Sequence, residues 1–99
     1  KHAAAGMKRQ CEREIRLCIR AQWKGKVRFH SPVAMRYLWV EKNKRRDKDN
    51  IAFAKKFIQD ALVKEKVLEN DGWTQIESWT DAFAVDAQRP RVEVELEEV

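Results

Sequence analysis

KNKRRDKDNIAFAKKFIQDALVKEKVLEND, residues 42–71, is the stretch on which the reading of the whole chain turns. It opens with a basic run, Lys42, Lys44, Arg45 and Arg46, and passes at once to Asp47, Asp49 and Asn50. Ile51, Ala54, Phe57, Ile58, Ala61 and Leu62 then recur at three- and four-residue spacing, which is one apolar face of a helix. Asp47, Asp49 and Asn50 are N-cap and first-turn residues by type, so a helix is predicted from about Asn50 to Lys66. Val67 and Leu68 close the core at its far end, and Asn70-Asp71-Gly72 is a turn that carries one more carboxylate.

Two aspartates at i and i+2 in an extended segment point to the same side, so Asp47 and Asp49 can face one ion. Mg²⁺ usually takes one or two carboxylates and fills its shell with waters and substrate phosphate. Carboxylates beside a Lys/Arg run are at odds with a plain phosphate grip, because they repel DNA. A metal between the carboxylates and the phosphate removes that contradiction. The plainer reading has Asp47 and Asp49 capping the helix while the basic run is solvated, and the short D-x-D-N spacing alone does not choose.

Taken together, Arg46-Asp47-Lys48-Asp49-Asn50, Lys56, Asp60-Ala61-Leu62 and Asn70-Asp71 resemble the RusA-type Holliday junction resolvases. These are small dimeric Mg²⁺-dependent endonucleases common in phages and prophages. The resemblance runs from about Met7 to Val99, and its specific part is residues 45–72. It implies that Asp47, Asp49 and Asp71 are metal-site carboxylates and that Lys56, four residues before Asp-Ala-Leu, supports catalysis. It further implies Mg²⁺ as cofactor with Mn²⁺ as a substitute, a four-way DNA junction as partner, and a homodimer acting in DNA recombination and repair. Two departures stand out. The interval from Asp49 to Asp60 is one helical turn longer than in the best-known member, and the family's usual Asp-Asp reads Asn70-Asp71.

Composition narrows the alternatives. Ninety-nine residues make one small domain. Its 43% hydrophobic content suits a folded chain rather than a disordered one. The net charge of +5 is unevenly placed. Residues 1–50 hold 15 Lys and Arg against 5 Asp and Glu, whereas residues 51–99 hold 6 against 11. A basic first half suits a polyanion, most simply nucleic acid. No apolar run approaches the roughly 20 residues that span a bilayer, and no signal peptide stands out, so no membrane partner is expected. Cys11 and Cys18 lie about 10 Å apart along one predicted helix, too far to bond to each other. With two histidines and no C-x-x-C there is no zinc pattern, and both cysteines read as reduced core residues of a cytoplasmic protein.

In chain order, residues 3–23 read as a helix with Met7, Cys11, Ile15, Cys18 and Ile19 on one face. Arg9, Arg13, Arg16 and Arg20 fall almost opposite, an arginine rail predicted to touch phosphate. Pro32 to Glu41 reads as a central strand with both faces covered, since both parities carry apolar residues. It delivers the basic run and Asp47 to the end of a sheet, where active groups are commonly mounted. Residues 73–85 read as a strand with a bulge or bend. Residues 91–98 alternate cleanly, with Val92, Val94 and Leu96 facing the core and Arg91, Glu93, Glu95 and Glu97 facing water. That acidic face places DNA on the opposite side. All four tryptophans, Trp23, Trp39, Trp73 and Trp79, are expected in the core. The predicted order is α, β, α, β, β: an α+β domain with a small mixed sheet and two packed helices. The family resemblance adds a strand before the first helix, and the expectation is that residues 1–99 lack it.

No Ser/His/Asp or Cys/His constellation supports a covalent mechanism. The expected function is a Mg²⁺-dependent, structure-selective DNA endonuclease. The alternatives are a DNA-binding protein without catalysis, or a related nuclease acting on other branched DNA.

Overall fold

Strict alternation makes residues 91–98 a strand with one dry face: Val92, Val94 and Leu96 are buried to within 1% of full coverage. Around this strand the computed structural model, which describes residues 1–7 and 12–99, builds one four-stranded sheet. The elements are β1 (His2–Met7), α1 (Glu12–Trp23), β2 (Val33–Glu41), α2 (Lys48–Ala52), α3 (Lys55–Lys64), β3 (Ile76–Val85) and β4 (Arg91–Glu98). The strand order is β1-β4-β2-β3. β4 runs antiparallel to both β1 and β2, and β2 runs parallel to β3, so the sheet is mixed and the fold is α+β as expected.

One face of the sheet meets the helices. Val33, Met35, Tyr37 and Trp39 of β2 pack there with the dry residues of β4, with Ile15, Ile19 and Trp23 of α1, and with Ile58, Ala61 and Leu62 of α3. Among the described residues, the opposite face has no helical layer. Arg36 lies there, reaching Glu97 at 3.2 Å and Glu95 at 3.6 Å, and His2 also meets Glu95 at 2.7 Å. The expectation that β2 is covered on both faces is therefore corrected. Ala34, Arg36 and Leu38 are half-buried, because cross-strand ion pairs rather than a second apolar layer shield that side. Those pairs also neutralise much of the acidic face of β4.

Residues 3–7, read from sequence as the start of the first helix, belong instead to an edge strand, His2–Met7, paired with β4. Alanine favours helix intrinsically, but the propensity is a weak prior. Here Ala3, Ala5 and Met7 alternate into the core, and tertiary pairing decides. A strand thus stands before α1, where the sheet was expected to lack one. Its outer edge is covered by the last turn of α1. Gln22 exchanges hydrogen bonds with the N–H and C=O of Gly6, and the Trp23 indole N–H donates to the Ala4 carbonyl at 3.0 Å. Such cover is how sheets blunt an open edge.

The second predicted helix is divided. Phe53 and Ala54 separate α2 from α3, so the extra helical turn of the 49–60 interval becomes a break rather than a longer rod. β3 starts at Ile76 with a register shift opposite Val33 and Ala34, the expected bulge. Cys18 is a free, half-buried thiol, and Cys11 and Arg9 lie outside the described residues.

Ion pairs join α1 to the end of α3. Arg16 and Arg20 reach the two oxygens of Glu65 at 2.7 and 2.6 Å, and Lys64 meets Glu12 at 2.9 Å. Glu65 has a side chain only 9% exposed. Hydrogen bonds from Arg20 first, and Arg16 second, hold its carboxyl below the ordinary value of 4.5. A depressed folded-state pKa contributes stability that is present above the ordinary value and lost as the pH falls through the folded one. Glu65→Gln is expected to lower stability by about 1 kcal/mol at neutral pH. The gap from the parent should close as urea melts are moved below pH 4.5, and a gap that persisted in acid would show that the ion pairs are not its source.

Candidate active site and DNA-binding face

β2 ends at Glu41, and the chain turns through Lys42–Arg46 before α2 begins. Asp47 occupies the N-cap position with extended backbone (φ −71°, ψ 150°), yet its side chain makes no capping hydrogen bond. Asp49, in the first turn, accepts the amide of Asn50 at 2.9 Å. Both are exposed, and neither carboxylate has a cationic partner among the described residues. They line a cavity of about 890 Å³ at the carboxyl ends of the parallel pair β2 and β3, with Glu41, Lys48, Phe83 and Val85 among its walls. The capping explanation for Asp47 is therefore not the one its side chain follows.

Arg46 holds this turn in shape. It reaches Glu41 at 3.6 Å and donates to the Asn50 carbonyl at 3.2 Å. Burial pushes the Glu41 carboxyl up from its ordinary value, with Lys42 acting in the opposite direction. Lys42, Lys44, Arg45 and Arg46 are all exposed around the turn, as is Arg13 on α1. Arg16 and Arg20 share their charge with Glu65 instead of standing as a free rail.

The remaining two candidates meet each other. Lys56, at the start of α3, donates to Asp71 at 2.9 Å and lies 3.0 Å from Asp60. Hydrogen bonds to Asp71, then to Asp60, raise the Lys56 pKa above its ordinary value. The structure thus forms two groups, Asp47 with Asp49 on the cavity and Lys56 with Asp60 and Asp71. Among the described residues, no three His, Cys, Asp or Glu side chains gather closely enough to hold a metal ion. Two open carboxylates beside a cavity still fit a hard cation that takes one or two protein oxygens and keeps its waters.

Sequence reading missed a neighbouring network. Asp81 on β3 accepts the Trp39 indole N–H at 2.7 Å and meets Lys55 at 2.6 Å. The Lys55 ammonium also lies over the rings of Trp79 and Tyr37, 4.8 and 5.3 Å from their centres. Tyr37 stacks on Trp39, accepts from Gln59, and burial pushes its hydroxyl well up from the usual range. This network fixes the start of α3, and so the backbone next to Lys56. Asp81 lies 26 residues beyond Lys55, and no local spacing announces it. The tryptophans divide as well. Trp23 and Trp39 are buried as expected, but Trp73, in the turn before β3, is 98% exposed, and Trp79, on the edge strand β3, is 52% exposed.

These contacts separate structural from open carboxylates. Asp81→Ala leaves Lys55 and the Trp39 indole without their acceptor and should cost about 2–3 kcal/mol in urea melts. Asp47→Ala should change stability by no more than about 0.5 kcal/mol, whereas loss of a working N-cap costs roughly 0.5–2. A loss above about 1 kcal/mol at Asp47 would return it to a capping role.

A family model described as Endodeoxyribonuclease RusA matches residues 1–97 of the chain. No curated protein matches it. Among the described residues, no helix is long and apolar enough to cross a membrane. With nearly the whole chain matched, this protein belongs to the RusA family of endodeoxyribonucleases and is an enzyme of that kind.

Proposed function

We propose that the chain is a Mg²⁺-dependent, structure-selective endonuclease that resolves four-way (Holliday) junctions in DNA recombination and repair, in the cytoplasm of a bacterial or phage-infected cell. The observation that carries this reading is the pair Asp47 and Asp49. In a protein where most carboxylates near a cation are paired, these two stay open on a cavity at the end of two parallel strands. Asp47 and Asp49 would hold the ion, with Mn²⁺ as a substitute for Mg²⁺. When bound, such an ion supplies an activated water and stabilises the leaving oxygen of a phosphodiester.

The chain's own groups do the rest. Arg46 braces the turn that presents the carboxylates. Lys56, which the family resemblance assigns to catalysis, would neutralise charge that develops on the phosphate. Asp71 directs Lys56 through their hydrogen bond, and is the third acid that the family resemblance assigns to the metal. Lys42, Lys44, Arg45, Arg46 and Arg13 are the cations proposed to meet DNA phosphate. Arg16 and Arg20 would join them only by leaving Glu65.

The working unit is proposed to be a two-fold dimer. A four-way junction presents two strands for symmetric cleavage, and a two-fold pair supplies two sites related in the same way. β3 supports this. It is an edge strand of ten residues paired only with β2 among the described strands, and Trp73, Trp79 and Val85 lie exposed on or before it. An open apolar edge of that length is a template for a second strand.

Asp49→Asn should retain junction binding while cleavage falls by a factor on the order of 10²–10⁴. A protein that only binds DNA would show no Mg²⁺-dependent cleavage to lose. Light scattering at micromolar concentration should give about twice the 11.7 kDa chain mass. A chain that stayed monomeric on the DNA while making paired nicks would remove the dimer from the account.

A further inference from the structure

Beside the cavity of Asp47 and Asp49 lies a second concave surface, a cleft of about 1190 Å³. Glu41, Asn43 and Arg46 line both, so the turn after β2 is a ridge with the open carboxylates on one side and the cleft on the other. Among the described residues, the cleft draws five cations: Lys42, Arg45 and Arg46 after β2, Arg89 from the connection between β3 and β4, and Arg91 at the start of β4. Glu14 and Glu41 also line it, and each has interactions of its own. Arg46 is engaged with Glu41, and Arg91 with Glu93 and Asp86. Lys42 feels the charge of the neighbouring Glu41, whereas the side chains of Arg45 and Arg89 make no ion pair among the described residues.

These three charges stand on a fixed frame. The Asp86 amide donates to the Glu41 carbonyl at 2.8 Å, tying the β3–β4 connection to the end of β2. One oxygen of Asp86 then accepts the amides of Gln88 and Arg89 at 3.1 and 3.2 Å. The Arg91 guanidinium donates to the Arg89 carbonyl at 2.8 Å. The backbone at Arg89 is therefore held from both sides while its side chain is left free. Fixed cations in a concave surface focus positive potential on a polyanion.

We propose that this cleft seats the sugar-phosphate backbone of the DNA as it leaves the cut site, with Lys42, Arg45 and Arg89 each binding a flanking phosphate. The proposal rests on the reading of Asp47 and Asp49 as the cutting site, since it is the shared ridge that makes the two surfaces continuous. It adds Arg89, which lies in the acidic half of the sequence, outside every basic run. It also moves the main phosphate contacts away from the α1 arginines.

The test is the salt dependence of binding to a synthetic four-way junction, read by fluorescence anisotropy with Ca²⁺ in place of Mg²⁺. Arg89→Ala should flatten the slope of log affinity against log salt by about 0.9, or about 0.7 for a single-stranded contact. Extrapolated over one decade of salt below 1 M, that slope makes binding at 0.1 M about eightfold weaker. Arg45→Ala, which leaves the Asp86 turn intact, should do the same, and the double variant should lose about twice the slope. Lys26→Ala removes an equal charge from the loop after α1 and should keep the parent slope. Parent-like slopes for Arg89→Ala and Arg45→Ala, with melting unchanged, would overturn the cleft as the phosphate seat and leave the nuclease reading standing. An equal loss for Lys26→Ala would also overturn it, by reducing the effect to net charge. Failure of the parent chain to bind the junction would overturn the nuclease reading and the cleft with it.

Discussion

The parallel pairing of β2 with β3 is the constraint from which the candidate site follows. Parallel neighbours cannot be joined by a tight turn, so the chain must leave one strand at its carboxyl end, cross over, and re-enter the sheet at the end where that strand began. Residues 42–75 are that crossover. Asp47 and Asp49 lie where it departs, Lys56 near its middle, and Asp71 where it comes back. The crossover is locked against β3 by Lys55 and Asp81, whose side chains are 15% and 22% exposed. At that degree of burial, removing either partner leaves a charge that water reaches poorly, which is why the pair acts as a clamp rather than as surface decoration.

Against this background, the treatment of individual acids is informative. Glu65, Asp81, Glu95 and Glu97 all have cations within reach, and Asp86 is occupied by backbone amides. Asp47 and Asp49 sit among Lys44, Arg46 and Lys48 without pairing to any of them. Two like charges held close together and left open contribute nothing to folding. Proteins carry such arrangements where a ligand is to complete them. The same logic applies in reverse to Arg89, a cation whose backbone is fixed from both sides and whose charge is left for something outside the chain.

Much of this was legible in the sequence because it is written in local spacing. The D-x-D-N start of α2, the apolar face of α3, the alternation of β4 and the bulge entering β3 are all short-range patterns. The motif residues from Arg46 to Asp71 carried the family as well. What escaped depends on distant partners. Ala3, Ala5 and Met7 fit a helix as well as a strand until β4 lies beside them. Trp79 looks like a core residue until the sheet order leaves β3 at the edge. Arg16 and Arg20 form a free rail on a helical wheel, and only the end of α3, more than forty residues on, brings Glu65 between them. The break at Phe53 and Ala54 was visible only as an interval one turn too long.

The central claim is that open carboxylates in this fold cut branched DNA with the help of a divalent ion. It is tested most directly by incubating the chain with a synthetic four-way junction and a linear duplex of the same sequence, with Mg²⁺ or with EDTA. The account predicts paired, symmetric nicks in the junction with Mg²⁺, none with EDTA, and little or no cutting of the linear duplex. Cleavage that proceeds in EDTA, or cuts both substrates equally, would contradict it.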